Sequence, residues 1–207
     1  NAALLIGWEA FEDYMEAIGF TENIPFDIGV AQPQLVNEDT EMSFKLLADS
    51  GYGQGEILVT PLQLAAMFSA LANGGDIAVP YVVEGIYQEN GVKYDVVEQH
   101  VARLWKENVI SEAAIDTITP MLKDVVNKEI NGTGRQLRVE NCVVAAKTGT
   151  AEIGNDKSRE ISWFVGYRTG VSDEDARLVL VMLEIPADTK YTTLKFDIAR
   201  AMLELNT

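Results

Sequence analysis

The stretch that decides the fold is Val143–Ile153, VVAAKTGTAEI. Its small and β-branched residues predict a buried strand, although four polar or small residues, Lys147, Thr148, Gly149 and Thr150, lie in its middle. Side chains alternate along a strand, so Thr148 and Thr150 share one face. Two hydroxyls on one face with an ammonium nearby can bind a carboxylate, and a glycine lets an extended peptide lie alongside. A strand whose polar residues simply face solvent is the competing interpretation of these four residues.

Local signals for helices and one hairpin precede this strand. Thr60 and Gln63 form a predicted capping box for an apolar helix that begins at Pro61. Asn90-Gly91 predicts a β-hairpin. Ser111 caps a further helix in which Pro120 predicts a kink or a break. The apolar spacing of that helix predicts that four residues face inward, namely Ile115, Ile118, Leu122 and Val125.

Two more strands and a helix follow the opening stretch. ISWFVGYR (161–168) and ARLVLVMLEIP (176–186) are the strands, and TTLKFDIARAMLEL (192–205) is the helix. Its predicted apolar face consists of Leu194, Ile198, Met202 and Leu205. Helices, then consecutive strands joined by short turns, then a helix predict an α+β fold with an antiparallel sheet flanked by helices.

Composition excludes several classes of function. The 207 residues carry a formal net charge of -16, and such a surface repels nucleic acid. His100 is the only histidine and Cys142 the only cysteine, so the chain cannot build a Ser-His-Asp triad, a His-Glu-x-x-His zinc site or an internal disulfide. No apolar run is long enough to span a bilayer.

The motif Lys-Thr-Gly is the third motif of serine β-lactamases and penicillin-binding proteins. DSGYGQGEILVTPLQLAAMFSALANGG (49–75) resembles the segment that precedes this strand in class B penicillin-binding proteins, with its Gly-Gln-Gly turn and Thr-Pro-x-Gln helix. VVNKEINGTG (125–134) and SREISWF (158–164) are similar to the family's neighbouring segments. FEDYMEAIGFTENIPFD (11–27) most closely resembles the low-affinity, methicillin-resistance type. The resemblance covers nearly the whole chain in order.

The resemblance implies a serine-type D,D-transpeptidase that needs no metal and no cofactor. Such enzymes crosslink peptidoglycan stem peptides ending in D-Ala-D-Ala through an acyl-serine, and β-lactams mimic the donor peptide. Lys147 would tune the electrostatics and proton network around the serine. Thr148 and Thr150 would hold the ligand carboxylate, the Thr150 N–H would form half of the oxyanion hole, and Gly149 would keep the strand approachable.

The chain departs from the family's pattern at the nucleophile. No serine is followed by lysine three residues later or by asparagine two residues later; this holds for Ser43, Ser50, Ser69, Ser111, Ser158, Ser162 and Ser172. We therefore interpret residues 1–207 as the C-terminal part of a transpeptidase domain without its Ser-x-x-Lys and Ser-x-Asn segments. This part alone is predicted to be inactive and to self-associate through exposed sheet surface. The parent protein is expected on the extracytoplasmic face of the bacterial membrane, held by an N-terminal anchor.

Three alternatives stay open at this stage. A β-lactam sensor or β-lactamase shares the Lys-Thr-Gly strand, although the Gly-Gln-Gly to Thr-Pro-x-Gln segment favours a penicillin-binding protein. A D,D-carboxypeptidase differs only in using water as the acceptor. A non-catalytic binding module would use the strand edge for a partner.

Overall fold

The chain forms six α-helices and seven strands in a computed structural model that describes residues 2–137, 139–140, 142–153, 156–189 and 193–205. The helices are α1 (Ala2–Ile6), α2 (Trp8–Ala17), α3 (Phe44–Ser50), α4 (Pro61–Ala72), α5 (Glu112–Val126) and α6 (Leu194–Leu203). The strands are β1 (Ile77–Ala78), β2 (Gly85–Asn90), β3 (Lys93–Gln99), β4 (Leu104–Lys106), β5 (Val143–Ile153), β6 (Arg159–Thr169) and β7 (Leu178–Pro186). A short 3-10 helix, Asp173–Asp175, precedes β7.

The central element is a three-stranded antiparallel sheet in the order β5-β6-β7. The pairing of β5 with β6 runs without a bulge from Val143 opposite Thr169 to Ile153 opposite Arg159. The stretch that opened the sequence analysis is therefore an edge strand of this sheet, and the predicted α+β fold is confirmed.

The two faces of the sheet bury separate hydrophobic clusters. On one face, Ala145 packs with residues of α4 and α5, including Ala70 and Leu122. On the other face, Val144 and Ala146 pack with the apolar side of α6. This division follows from the alternation of side chains along β5, and it places the sheet between two helical layers.

Helix α4 begins with the predicted capping box. The Thr60 hydroxyl accepts from the Gln63 N–H at 3.1 Å, and the Gln63 side chain accepts from the Thr60 N–H at 3.2 Å. Gln63 is only 1% exposed, and its amide also donates to the carbonyls of Gly19 and Glu22 at 3.2 and 3.0 Å. The start of α4 is thereby bonded to the loop that follows α2.

The predicted hairpin at Asn90-Gly91 is confirmed as β2 and β3. It stands apart from the central sheet, and all its residues but Gly85 are exposed. The Asp27 carboxylate accepts hydrogen bonds from the N–H groups of Val82 and Val83 at 2.7 and 2.8 Å. These bonds connect the segment before the hairpin to the segment between α2 and α3. These bonds hold the pKa of Asp27 below its ordinary value.

The structure bears on two predictions about α5. The helix runs unbroken through Pro120, so the predicted break does not occur, and the alternative of a kink stays a prediction. Pro120 has no N–H to donate to the carbonyl of residue 116. Both residues are exposed, so water can solvate that carbonyl. Ile118 was expected to face inward but is 37% exposed, whereas Leu122 is buried.

The predicted apolar face of α6 is wrong at three of its four positions, because only Ile198 packs against the core. Leu194, Met202 and Leu205 are 44%, 45% and 56% exposed. The buried residues are instead Lys195, Phe196, Ala199 and Leu203. A pattern of apolar residues predicts that a lysine faces solvent. Lys195 can be buried because its ammonium donates a hydrogen bond to a serine on β6. No helix within the described ranges is long and apolar enough to cross a membrane.

Candidate active site

An open groove of about 490 Å³ lies along the middle of β5. Its walls come from five parts of the chain: Lys147–Thr150 of β5, Thr133 and Gln136 of the loop after α5, Glu160 and Ser162 of β6, Ile185 and Thr189 at the end of β7, and Lys195 and Phe196 of α6. All four residues predicted from the sequence line this groove.

The strand divides these four residues between two faces. Thr148 and Thr150 continue the row of Ala146, which packs toward α6. Lys147 and Gly149 belong to the opposite row. The Lys147 ammonium donates to the carbonyl of Thr148. Lys147, which the sequence analysis grouped with the two hydroxyls, therefore lies on the opposite face of the strand.

Thr133 is a groove residue that the sequence analysis did not assign. Its hydroxyl lies 2.7 Å from the Thr148 hydroxyl, and either can be the donor. Gly132 makes this contact possible, because a Cβ at that position would overlap the carbonyl oxygen of Val125 at the end of α5. Thr133 lies in the stretch NGTG, which the sequence analysis found similar to a segment of the family, but no local sequence rule predicts a contact between this stretch and β5.

Lys195 and Ser162 form a second feature of the groove. The Lys195 ammonium donates to the Ser162 hydroxyl at 2.8 Å, and the two residues are 8% and 7% exposed. Burial lowers the pKa of Lys195 from its ordinary value; the negative charge of Glu160 opposes this effect, and the positive charge of Lys147 adds to it. Nothing in the sequence pattern pointed to this pair, whose members are 33 residues apart.

Gly149 has room for a side chain among the residues that the structure describes. A Cβ built there would lie 3.5 Å from the Trp163 Cβ, an ordinary van der Waals contact, and the glycine does not adopt a positive φ. Neither packing nor backbone conformation within the described residues requires a glycine here.

The residues described by the structure contain no group of three or more His, Cys, Asp or Glu side chains that could hold a metal ion. Besides the Glu160 carboxylate, the chemistry available in the groove is that of hydroxyls, ammonium groups, the Gln136 amide and backbone N–H groups. Such groups bind and polarise anionic or carbonyl-containing ligands.

Comparison with known proteins decides the family. The family described as penicillin binding protein transpeptidase domain matches residues 1–203. The chain belongs to this family. It is 31% identical over 169 residues to penicillin-binding protein 3 of Bacillus subtilis (strain 168), covering 80% of this chain and 23% of that protein. It is also 31% identical over 195 residues to stage V sporulation protein D of the same organism, covering 89% of this chain and 28% of that protein.

Solved structures of the same family share the fold. Penicillin-binding protein A from Mycobacterium tuberculosis, as an imipenem acyl-enzyme complex, superposes with a TM-score of 0.76 over 98% of this chain and 42% of that one, at 20% identity. Penicillin-binding protein 2B from Streptococcus pneumoniae (strain R6) gives 0.75 over 96% of this chain and 33% of that one, at 21% identity.

The chain spans about a quarter of the length of the two curated relatives. The family relationship predicted from the sequence is confirmed, and the relatives include class B penicillin-binding proteins. The individual roles of Lys147, Thr148, Gly149 and Thr150 stay predictions.

Proposed function

We propose that this chain is the C-terminal part of the transpeptidase domain of a serine D,D-transpeptidase that crosslinks peptidoglycan. The observation that carries the proposal is the groove along an edge strand of the sheet, in which Thr148 and Thr150 present hydroxyls from one face. A free strand edge offers backbone groups to an extended peptide, and hydroxyls offer donors to its terminal carboxylate.

The proposed reaction has two steps. The serine of the whole protein attacks the carbonyl of the penultimate D-Ala, and the terminal D-Ala leaves as the acyl-serine forms. An amine of a second stem peptide then attacks the acyl-serine, which releases the serine and forms the crosslink. β-Lactams enter the first step as mimics of the donor; the neighbouring structure with bound imipenem is described as an acyl-enzyme complex.

Each predicted site residue has a proposed role in this reaction. Lys147 supplies positive charge to the proton network around the serine. Thr148 and Thr150 bind the ligand carboxylate, and the Thr150 N–H donates to the developing oxyanion. Gly149 keeps the strand accessible; the room for a Cβ at this position supports this role, because nothing among the residues that the structure describes accounts for the glycine.

The 207 residues by themselves are proposed to be inactive, as the C-terminal portion of the domain. No serine within them begins a Ser-x-x-Lys or Ser-x-Asn motif. Removing the nucleophile from a catalytic unit leaves little of its rate enhancement. The whole protein is proposed to act on the extracytoplasmic side of the membrane, where peptidoglycan is crosslinked, and to be anchored there by its N-terminal segment.

Labelling by a fluorescent penicillin tests the proposal. We expect the whole protein to form a covalent adduct, the 207-residue chain to form none, and Lys147→Ala in the whole protein to abolish the adduct. Labelling of the 207-residue chain would refute its inactivity, and an unlabelled whole protein would favour the binding-module alternative.

Product analysis separates the enzymatic alternatives. Incubation of the whole protein with a D-Ala-D-Ala stem peptide and an amine acceptor should yield the crosslinked amide. Release of D-Ala without crosslinking would identify a carboxypeptidase, and rapid hydrolysis of penicillin would identify a β-lactamase.

We also propose that the 207-residue chain self-associates. Within the described part of the chain, β5 and β7 form the two edges of the central sheet, and Met182 on β7 is 43% exposed. Unpaired edges and exposed apolar side chains favour pairing between copies. A single monomeric species in light scattering at high protein concentration would contradict this proposal.

A further inference from the structure

The groove contains a second lysine besides Lys147. Lys195 stands near the start of α6, 8% exposed, and its ammonium donates to the Ser162 hydroxyl at 2.8 Å. A buried ammonium is expensive in free energy, so such lysines are rare unless a partner or a ligand compensates for the lost hydration.

Lys195 is held firmly in this position. Its neighbours on α6, Phe196, Ala199 and Leu203, are at most 4% exposed and pack on the sheet. At the other end of the helix, the Arg168 side chain of β6 donates from Nε to the Leu203 carbonyl at 2.8 Å. The helix is thus packed against the sheet, and this packing holds the backbone of Lys195 beside the groove.

The register of the sheet places Lys195 on the same face as the two threonine hydroxyls. Ser162 lies directly opposite Thr150, and directly opposed residues of an antiparallel pair share a face with Cβ atoms roughly 5 Å apart. Phe164 lies opposite Thr148 and belongs to the cluster on the α6 side. Lys147 lies on the opposite face of β5. Of these two lysines, Lys195 is therefore the one on the hydroxyl face.

The charge of Lys195 is only partly compensated within the part of the chain that the structure describes. Among the described residues, no carboxylate lies within 4 Å of its ammonium. Glu160, two residues along β6 from Ser162, acts on it from a greater distance, and Lys147 repels it. A ligand carboxylate bound by Thr148 and Thr150 would add the missing negative charge on this face.

The geometry points to Lys195 as a specificity-determining residue that, through its charge and its bond to Ser162, favours ligands with a free carboxylate over the same ligands without one. This inference rests on the proposed function of the groove and extends it. In this role Lys195 sets the electrostatic preference of the face on which the carboxylate binds.

The test compares acid and ester forms of one β-lactam. Acylation rate constants of the whole protein are measured by mass spectrometry with benzylpenicillin and with its methyl ester, for wild type, Lys195→Met and Lys195→Arg. Lys93→Met on the exposed hairpin is the matched control, since it removes the same charge outside the groove. Ser162→Ala is a second variant that removes the hydrogen bond and keeps the ammonium.

Lys195→Met is expected to slow acylation by the acid about tenfold and acylation by the ester less than about twofold, because only the acid gains from the charge. Lys195→Arg should restore most of the rate, and Lys93→Met should change neither rate. Equal losses for acid and ester, or no loss for the acid, would overturn the inference.

A second measurement keeps the inference separate from the proposed function. If the wild-type protein is not acylated at all, the proposed function fails. Equilibrium binding of N-acetyl-D-alanyl-D-alanine and of its C-terminal amide then tests whether Lys195 sets the preference for a free carboxylate. The inference requires that the wild type binds the acid more tightly and that Lys195→Met reduces this preference; the absence of a preference in the wild type refutes it.

Discussion

Replacing Gln63 by leucine should destabilise the protein, although leucine is apolar and Gln63 is nearly fully buried. The Gln63 side chain accepts from the Thr60 N–H and hydroxyl at 3.2 and 3.0 Å. It donates to the carbonyls of Gly19 and Glu22 at 3.2 and 3.0 Å. Leucine fills a similar volume but makes none of these bonds.

The magnitude follows from which groups can regain a partner. Gly19 is buried, so its carbonyl loses its donor without access to water, at about 2 kcal/mol. Thr60 is half-buried and Glu22 is exposed, so water can hydrate their polar groups in the variant. Losing their hydrogen bonds to Gln63 therefore lowers the free energy of unfolding by about 1.5 kcal/mol in all. Burying the leucine side chain returns about 1.5 kcal/mol. The expected net loss is about 2 kcal/mol, which corresponds to about 4–8 °C in Tm for a chain of this size.

Urea unfolding followed by circular dichroism measures this loss. Gln88→Leu is the matched control, because Gln88 is exposed on the hairpin, and it should change the free energy of unfolding by less than about 0.5 kcal/mol. Gln63→Glu should be worse than Gln63→Leu, since a carboxylate keeps the acceptor but faces two carbonyls without a donor. An unchanged or increased stability of Gln63→Leu would refute the assignment of these four bonds.

Three further substitutions probe the fold and the groove. Gly149→Ala should leave the free energy of unfolding within about 0.5 kcal/mol of wild type yet slow penicillin acylation of the whole protein at least tenfold; a loss of stability would contradict the ordinary contacts at that position. Gly75→Ala should destabilise by about 3 kcal/mol in urea unfolding, because Gly75 has a φ of 102° and a Cβ would overlap the Ile110 carbonyl oxygen. Asp27→Asn should lower Tm at pH 7, where the carboxylate accepts from two backbone N–H groups. The folded pKa of Asp27 is below its ordinary 3.8, so this stabilisation is complete above that pH and is lost as the pH falls further; the Tm difference should shrink below pH 3.8, and one that stayed constant would contradict the role of the charge.

Local rules predicted the elements whose signals are contained in a few neighbouring residues. The capping box of α4 depends on Thr60 and Gln63, three residues apart, and the hairpin depends on Asn90-Gly91. The strand character of Val143–Ile153 follows from its own apolar residues. Each of these signals acts within one element, so tertiary packing had little opportunity to override it.

The inner face of α6 could not be predicted in the same way. Leu194 and Met202 have the spacing of an apolar face, but the packing surface of the sheet accepts Phe196 and Leu203 instead. The rotation of a helix is decided by the surface it meets, and the sequence of α6 does not contain that surface. The burial of Lys195 depends likewise on a serine 33 residues away.

The amino-acid sequence by itself determined that a strand carries Lys147, Thr148, Gly149 and Thr150, and its motifs predicted the family that the comparisons confirm. Alternation along that strand placed both threonines on one face without any reference to the rest of the chain. Only the tertiary structure decided what shares that face. Thr133 reaches it because Gly132 lets a loop lie against the end of α5, and Lys195 reaches it because α6 packs with that side inward. Contacts between distant segments arise from the shapes of packed surfaces, which no local pattern contains.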